Sequence, residues 1–336
     1  MIIKEIKEKN VKLASQPIDI KTRLNKYQLA TLYEAKRLEK SNVFKCNKQN
    51  FIKTKIGFLC NKVGSGKSLI ILALLSHINI YLYKSCCNSM ISDNLFQSYI
   101  SKPNFKYNLE TNMIVIPHNI AFQWENYIKE HSNFTYQIIN KSKDINNLLN
   151  LKIKLNDGII DLDKEQFENL IEKIKDKKIL LISSTYFNYF IKTLYNLNLE
   201  NSLQFNRIVY DEVDTLNIPN NKFLNANFYW FISSNINNLL NPESSYKYVK
   251  TGELISFENE QYVRLKYTKT GGILKNGYVK SIFQDLKDSK NKDALFLKCN
   301  DDFIDKYLNL PDINFETVYV QNLFIKDVLN RFIDNQ

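Results

Sequence analysis

Cysteine and histidine are scarce in this sequence, and the few present are not spaced for metal binding. The five cysteines (Cys46, Cys60, Cys86, Cys87 and Cys299) include no C-x-x-C pair, and the three histidines add no matching cluster. These absences exclude the common zinc-site patterns and indicate no disulfide framework. We therefore expect a reducing compartment, and we interpret Cys86 and Cys87 as core or chemically inert residues.

Long apolar runs are missing as well. The first residues, MIIKEIKEKNVKLAS, mix charges with short apolar pieces and lack the roughly 7–15-residue apolar core of a signal peptide. The longest apolar run, around Leu69 to Leu75, is far shorter than the about 20 residues that span a bilayer. We expect a soluble, intracellular protein with no membrane partner.

Acidic residues are fewer than basic residues in this sequence. The chain carries 46 Lys and Arg against 35 Asp and Glu, which gives a net charge of +11. This balance favours a polyanionic partner such as nucleic acid. A second interpretation stays open, because heavy use of Lys, Asn and Ile is also typical of an AT-rich genome, and most lysines on such a surface are merely solvated.

No internal repeat and no Gly/Ser-rich or Pro-rich linker divides the chain, and 44% hydrophobic residues are enough for a packed core. Up to about residue 240, apolar runs alternate with helical stretches; the runs include KIGFLC, NMIVIPH, KKILLISST, FNRIVYDEVD and NFYWFISSN. Continuous apolar strands separated by helices predict a parallel sheet that is covered on both faces. The expected fold class is α/β, with a parallel, doubly wound sheet.

Two stretches interrupt this alternation. Residues 79–112 are expected to form an insertion with weak helix. Residues 140–178 are expected to form a second insertion, with an amphipathic helix indicated by the apolar spacing of Phe167, Leu170, Ile171 and Ile174. After residue 240, QYVRLKYT and DALFLKCN suggest strands, and FIKDVLNRFIDNQ predicts a helix.

The stretch VGSGKS follows an apolar β-type run, Ile56 to Leu59, and precedes an apolar helical run. Gly64 and Gly66 allow backbone N–H groups to surround phosphate oxygens, and the helix beginning near Lys67 adds its positive end. Lys67 can reach the β- and γ-phosphates, and Ser68 can supply a hydroxyl ligand to magnesium. The alternative is an ordinary glycine turn, since Asn61 stands where the strict pattern G-x-x-x-x-G-K-[ST] has glycine.

A pair of acids follows another apolar strand, in RIVYDEVDTL. Asp211 and Glu212 would lie at the carboxyl end of a parallel strand, where ligands bind in this architecture. We expect Asp211 to hold magnesium and Glu212 to orient the attacking water. An acidic pair at such a junction also occurs by chance, but chance explains it poorly after a phosphate loop in the same alternating pattern.

Six stretches in order resemble the motifs of one family. They are LNKYQLATLYEAKRLE, NKVGSGKS, MIVIPHNIAFQWENYI, ILLISSTYF, YDEVD and FYWFISSN. Together they resemble the first RecA-like lobe of a superfamily-two helicase or translocase of the D-E-x-D type. Within that group the chain most resembles the helicase-like ATPases of large cytoplasmic DNA viruses, including relatives of the poxvirus early transcription factor and nucleoside triphosphatase. In this superfamily the first glycine of the strict phosphate-loop pattern is not required.

The resemblance implies roles for particular residues. ATP and Mg²⁺ are the implied cofactors, with adenine recognised by Gln28 and the phosphates bound by Val63, Gly64, Ser65, Gly66, Lys67 and Ser68. Lys67, Asp211 and Glu212 are the implied catalytic residues, and Ser68 and Asp211 the metal ligands. The implied nucleic-acid contacts are Pro117, His118, Ser184 and Thr185, and the implied coupling residues are Asp214, Ser233 and Ser234.

Some of these positions have plainer interpretations. Asn235 departs from the usual Ser/Thr-Ala-Thr pattern of the sixth motif, which weakens the coupling role. Gln123 and Trp124 could be ordinary helix residues, and Thr185 could be only a helix cap.

The resemblance also implies how the chain is organised and what it works with. Residues 1–240 would form the ATP-binding lobe, and residues 241–336 an extension toward a second lobe, because no Q-x-x-G-R-x-x-R motif is present. We expect DNA or RNA as a partner, the second lobe from a longer or split protein, and RNA polymerase or transcription factor subunits if the protein serves viral transcription. The location would be cytoplasm or virion. The alternative is a non-catalytic nucleic-acid or transcription-partner binding module.

Overall fold

The computed structural model describes residues 5–41, 43–45, 51–53, 55–77, 89–92, 97–100, 107–149, 164–196, 202–216, 218, 224–235, 250–257, 260–265 and 295–308. Its strands are β1 (Val43–Lys45), β2 (Phe51–Lys53), β3 (Ile56–Leu59), β4 (Ser89–Ser92), β5 (Gln97–Ile100), β6 (Tyr107–Asn108), β7 (Asn112–Ile116), β8 (Tyr136–Ile139), β9 (Ile179–Ser183), β10 (Leu203–Tyr210), β11 (Ala226–Ile232), β12 (Lys250–Phe257), β13 (Glu260–Leu265) and β14 (Phe296–Leu297). Its helices are α1 (Lys26–Ser41), α2 (Lys67–Leu75), α3 (Ala121–His131), α4 (Ser142–Leu149), α5 (Lys164–Lys175), α6 (Ser184–Asn196) and α7 (Asp301–Asp305), and a 3₁₀ turn spans His118–Ile120.

An eight-stranded parallel sheet forms the centre of the protein. Its strand order is β14-β3-β11-β10-β7-β9-β8, and β6 pairs with the beginning of β10. Every residue of β7, β9 and β10 is buried. Since successive side chains of a strand point to opposite faces, both faces of the sheet are covered, as the continuous apolar runs predict. The α/β parallel fold class is confirmed.

Stacked aromatic rings cross four neighbouring strands of this sheet. Phe58 on β3 stacks on Phe296 with ring centroids 4.5 Å apart and on Phe231 at 5.3 Å, and Phe231 stacks on Tyr210 at 5.4 Å. The strand register places these four residues directly opposite one another. Such contacts add to area burial and fix the register where β3 and β10 enter the loops that carry the predicted site.

A buried ion pair joins helix α1 to the middle of the sheet. Arg207 of β10 donates from Nε and Nη2 to the two carboxylate oxygens of Glu39, at 2.6 and 2.7 Å. The indole of Trp230 also donates to Glu39, at 2.8 Å, and Arg207 Nη1 donates to the carbonyl of His77 at 2.7 Å. Both charges are therefore satisfied inside the protein, which a buried pair requires.

The first predicted insertion differs from expectation. The regular elements among its described residues are all strands: β4 and β5 pair antiparallel, β6 pairs with β10, and Asn112 begins β7. The expected weak helix is therefore wrong for the described part of residues 79–112, because pairing with a neighbouring strand outweighs a weak local preference. Cys86 and Cys87 lie outside the described residues.

The second predicted insertion contains α4 and α5, which pack together. Leu170, Ile171 and Ile174 of α5 are buried, so the amphipathic helix is confirmed, while the side chain of Phe167 lies outside the described residues. Strand β8, which precedes this stretch, was not predicted. It is short and covers the edge of the sheet next to β9.

Residues 295–308 add the short strand β14 to the central sheet, although they follow the boundary expected at residue 240. Strand β14 pairs with β3, and the two expected strands at QYVRLKYT and DALFLKCN are present as β13 and β14. The expected helix FIKDVLNRFIDNQ lies outside the described residues. None of the described helices is both long and apolar enough for a membrane crossing.

Candidate nucleotide site

The predicted phosphate loop connects β3 to α2 and contains two glycines in the left-handed region. Gly64 has φ 78° and Gly66 has φ 70°, which glycine adopts without steric cost. A Cβ on Gly66 would lie 2.6 Å from Gln28 Nε2, whereas a Cβ on Gly64 would meet nothing within 4 Å. The left-handed backbone angle therefore favours glycine at position 66, and a larger residue there would also displace the Gln28 side chain.

Asn61, the departure from the strict phosphate-loop pattern, has a structural partner. Its buried Oδ1 accepts a hydrogen bond from the backbone N–H of Cys299 at 2.8 Å. The neighbouring Lys62 side chain forms an ion pair with Asp305. Asn61 thus attaches the start of the loop to the segment 295–308, a role that glycine could not perform.

Helix α2 begins at Lys67, so Lys67 and Ser68 lie at its amino-terminal end, as predicted. Lys67 Nζ donates to the backbone carbonyl of Lys62 at 3.3 Å. Burial lowers the pKa of Lys67, and the negative charges of Glu212 and Asp211 partly oppose this change. The lysine is thereby held beside the loop, close enough to the two acids for their charges to act on it.

Asp211 directly follows β10 and is buried, with 5% of its surface exposed. Its Oδ2 accepts a hydrogen bond from the indole Nε1 of Trp124 at 2.7 Å. Burial raises the pKa of Asp211 to about 6, although the bonds from Trp124 and from the Glu212 backbone oppose the rise. This carboxylate is in an environment that disfavours an uncompensated negative charge.

Glu212 has a left-handed backbone, with φ 47°. Its carbonyl accepts hydrogen bonds from the backbone N–H groups of Thr215 and Leu216, which stabilise the turn. Non-glycine residues in this region cost roughly 1–3 kcal/mol and are concentrated at functional sites. Burial raises the pKa of Glu212 as well, while the charge of Lys67 opposes that rise.

The two predicted halves of the site meet in one cleft. It is lined by Ser68, Ile120, Gln123, Trp124, Tyr127, Asp211 and Glu212. A hydroxyl and carboxylates are oxygen ligands of the kind that Mg²⁺ prefers, and Mg²⁺ commonly takes its remaining ligands from phosphates and water. Among the described residues, no group of three or more His, Cys, Asp or Glu is arranged to hold a metal ion. The hydroxyl of Ser68 and the carboxylate of Asp211 fit an Mg²⁺ ion that takes further ligands from phosphate.

Helix α1 contacts the phosphate loop from the other side. The carbonyl of Ser65, a buried residue, accepts hydrogen bonds from the Tyr27 hydroxyl at 2.9 Å and from Gln28 Nε2 at 3.4 Å. Gln28 Oε1 accepts from the backbone N–H of Asn25 at 2.8 Å, so both ends of this amide are engaged. Recognition of adenine by Gln28 stays a prediction, as does the contribution of Val63, which is 75% exposed.

The residues predicted to couple the motifs include a direct contact. Ser233, just after β11, donates its hydroxyl to Asp214 Oδ1 at 2.6 Å and accepts from the backbone N–H of Asn235 at 2.9 Å. Ser234 is half-buried beside them. The contact links the ends of β10 and β11, while a coupling function for these residues stays a prediction.

The predicted nucleic-acid contacts lie at the ends of two neighbouring strands. Pro117 and His118 form the turn after β7, and Ser184 and Thr185 begin α6 directly after β9. His118 Nδ1 lies 3.3 Å from Ser183 Oγ, and both His118 and Thr185 are exposed. The four residues therefore share one edge of the sheet, but their contact with nucleic acid stays a prediction.

Sequence reasoning missed some residues that shape the site. Trp124 bonds to Asp211, and Tyr27 bonds to Ser65 of the phosphate loop. In the sequence, an aromatic residue in a helix cannot be told from an ordinary core residue. The only clue for Trp124 was its place in the stretch after the Pro117 turn. No pattern in the sequence indicated that Cys299 would contact Asn61.

Comparison with known proteins assigns no family. No protein-family model matches the sequence, and no curated protein matches it significantly. Matching solved structures include the Sulfolobus solfataricus SWI2/SNF2 ATPase core with double-stranded DNA (14% identity, TM-score 0.38, 66% of this chain and 34% of that chain) and the same core domain in a second structure (15%, 0.39, 69% and 35%). A third is a nuclease-deletion mutant of the Type ISP restriction-modification enzyme LlaGI with a DNA substrate mimic (12%, 0.36, 80% and 21%). The chain spans about a third or less of the length of these three proteins.

Proposed function

We propose that this chain contains the ATP-binding lobe of a nucleic-acid-dependent ATPase. The observation that carries the proposal is the cleft that Ser68, at the start of α2, lines together with Asp211 and Glu212, at the end of β10. A glycine loop with two left-handed residues lies directly before Ser68 and Lys67. Phosphate-binding backbone, a lysine, a hydroxyl and two acids are the groups that ATP hydrolysis needs in one place.

Each group has a distinct role in the proposed reaction. Backbone N–H groups around Gly64 and Gly66 bind phosphate oxygens, and Lys67 neutralises charge on the β- and γ-phosphates. Ser68 and Asp211 would hold Mg²⁺, which when bound supplies positive charge against the phosphate oxygens. Glu212, half-buried beside them, orients the attacking water and accepts its proton.

Nucleic acid would bind along the edge formed by the Pro117–His118 turn and the start of α6. Support comes from the exposure of His118 and Thr185 at adjacent strand ends and from the net charge of +11. The finer proposals are movement on DNA or RNA, a second lobe that supplies an arginine, and a role in viral-type transcription with polymerase or transcription factor subunits. They rest on the sequence motifs alone.

Nucleotide binding tests the proposal most directly. Lys67→Ala should abolish binding of a non-hydrolysable ATP analogue with Mg²⁺ in calorimetry, because no other loop side chain is placed to neutralise the phosphates. Lys62→Ala is the matched control, since the Lys62 side chain pairs with Asp305, and it should retain binding. Glu212→Gln should bind the analogue and lose turnover in the complete enzyme. Unchanged affinity in a folded Lys67→Ala protein would remove Lys67 from the site.

Nucleic-acid binding needs a separate measurement. The logarithm of affinity for single-stranded oligonucleotides should fall linearly with the logarithm of salt concentration, by about 0.7 per phosphate contact. A double variant, His118→Ala with Thr185→Ala, should weaken this binding and leave ATP affinity unchanged. A flat salt response would mean that the lysines are only solvated. Loss of ATP binding in the double variant would mean that this edge has been misassigned.

A further inference from the structure

We propose that Trp124 is a positioning residue for the nucleotide site, whose indole N–H holds the Asp211 carboxylate in the orientation that binds Mg²⁺. The proposal rests on the function proposed above and assigns a role to a residue outside the phosphate loop and the acidic pair. The contact is short, at 2.7 Å between Trp124 Nε1 and Asp211 Oδ2, and both side chains are buried.

The chemistry of the contact favours orientation over simple packing. An indole has one N–H donor and no acceptor, so its hydrogen bond has a single direction. A carboxylate can rotate about its Cβ–Cγ bond, and a fixed donor to one oxygen limits that rotation. Some residues bond to a metal ligand without touching the metal. Mutating such a residue commonly lowers metal affinity or activity by about 10–100-fold.

The position of Trp124 is itself fixed by secondary structure. It lies on α3, which packs against both α2 and β9. Helix α2 begins with Lys67 and Ser68, so the donor to Asp211 and the hydroxyl of Ser68 are held by two helices in contact. Through α3, Trp124 therefore connects Asp211 to helix α2, which carries Lys67 and Ser68.

The chain offers a matched control, because its only other tryptophan makes the same type of bond elsewhere. Trp230 Nε1 donates to Glu39 at 2.8 Å, on a different part of the sheet. The protein should therefore show two indole N–H signals in ¹H–¹⁵N spectra, and Trp230→Phe identifies the signal of Trp124. Asp211→Asn should shift the Trp124 signal and leave that of Trp230 in place. A Trp124 signal that Asp211→Asn does not move would overturn the proposal.

The functional arm uses Trp124→Phe, which keeps an aromatic ring and removes the N–H. Binding of the ATP analogue without Mg²⁺ should be unchanged, while the Mg²⁺ concentration needed to reach full affinity should rise about tenfold or more. Trp230→Phe should leave both values unchanged. Equal weakening with and without Mg²⁺ would indicate a purely structural role, and no change in the Mg²⁺ requirement would also overturn the proposal.

The two proposals fail in different ways. If the unmodified protein does not bind the analogue at all, the proposed function is wrong, whereas the indole signal still reports whether Trp124 and Asp211 are bonded. If the unmodified protein binds the analogue with Mg²⁺ and Trp124→Phe behaves identically, only the role of Trp124 is wrong. Should Trp124→Phe fail to fold, the response of the unmodified protein's Trp124 signal to Mg²⁺ with the analogue decides, and a signal that stays in place contradicts the proposal.

Discussion

Asp211 has a buried carboxylate whose charge is unfavourable for stability, and the proposed function gives that charge a role in binding Mg²⁺. Its burial raises its pKa to about 6 from the ordinary value of 3.8, because the folded protein disfavours the charged form. A bound cation would reverse this preference, since it stabilises the carboxylate directly. In the proposed function, Mg²⁺ would therefore compensate a charge that burial disfavours.

The pH dependence of stability follows from the same shift. A raised pKa in the folded state means that the contribution of Asp211 to stability is fully present below about pH 4 and is lost as the pH rises through about 6. Asp211→Asn should therefore gain stability relative to the unmodified protein over this interval, by an amount on the order of 3 kcal/mol. Urea unfolding without Mg²⁺, measured between pH 4 and 7, checks this expectation. A difference that stays constant across the interval would contradict it.

The residues of the site also divide by how far sequence could predict them. The placement of Lys67, Ser68, Asp211 and Glu212 was predictable, because each follows a strand and parallel strands end at the same edge of a sheet. Their roles stay predictions. The bonds Trp124 to Asp211 and Cys299 to Asn61 join residues 87 and 238 positions apart. They depend on how helices pack and on which strand extends the sheet, and no local pattern contains that information.

At the scale of elements, helix α1 is fixed by two different kinds of contact. Its amino-terminal half contacts the phosphate loop through Tyr27 and Gln28, and its carboxyl-terminal half is held by Glu39, whose carboxylate is paired with Arg207 inside the protein. The alternation of apolar runs predicted the strands on which these contacts depend. It could not predict that Glu39 of α1 would bond to Arg207 of β10 and Trp230 of β11, because several arrangements of the same elements satisfy the same pattern.

The ion pair gives a test of how α1 is held. Arg207→Met should reduce the free energy of unfolding by about 3–5 kcal/mol, because it leaves the Glu39 carboxylate buried without its charge partner. Adding Glu39→Leu should recover much of that loss, since the unpaired charge is then removed. Arg37→Met on the same helix is the control; Arg37 is largely exposed beside Glu34, and its loss should cost about 0–1 kcal/mol. Equal losses from Arg207→Met and Arg37→Met would mean that the buried pair is not formed.

At the scale of the whole molecule, the two ends of the described chain meet beside the phosphate loop. Lys298 and Asn300 contact Glu5, and Lys306 pairs with Glu8. The ring centroids of Tyr307 and Tyr27 lie 6.0 Å apart. The sequence indicated a strand at DALFLKCN but placed it beyond the lobe, because nothing near residue 297 shows which strand it will pair with.

The extent of the lobe can be tested with two fragments. Residues 1–240 lack β14, which leaves the backbone N–H groups of Phe58 and Cys60 without the carbonyls of Leu295 and Leu297. Because β3 then becomes an unpaired edge, this fragment should aggregate and bind nucleotide poorly, whereas residues 1–308 should remain monomeric. Size-exclusion chromatography and calorimetry with the ATP analogue compare them. Equal behaviour of the two fragments would show that the lobe ends at residue 240.

Segment 295–308 also carries Cys299, whose reactivity depends on the burial that the segment provides. Burial raises the pKa of Cys299 to about 11, and Cys60, directly after β3, is buried with a raised pKa as well. Alkylating reagents attack the thiolate form of cysteine. At pH 7 only about 1 in 10⁴ of the Cys299 side chains is a thiolate, so we expect Cys299 and Cys60 to react slowly while the segment stays in place. The rate of Cys299 alkylation should therefore report how often segment 295–308 separates from the phosphate loop that it contacts through Asn61 and Lys62.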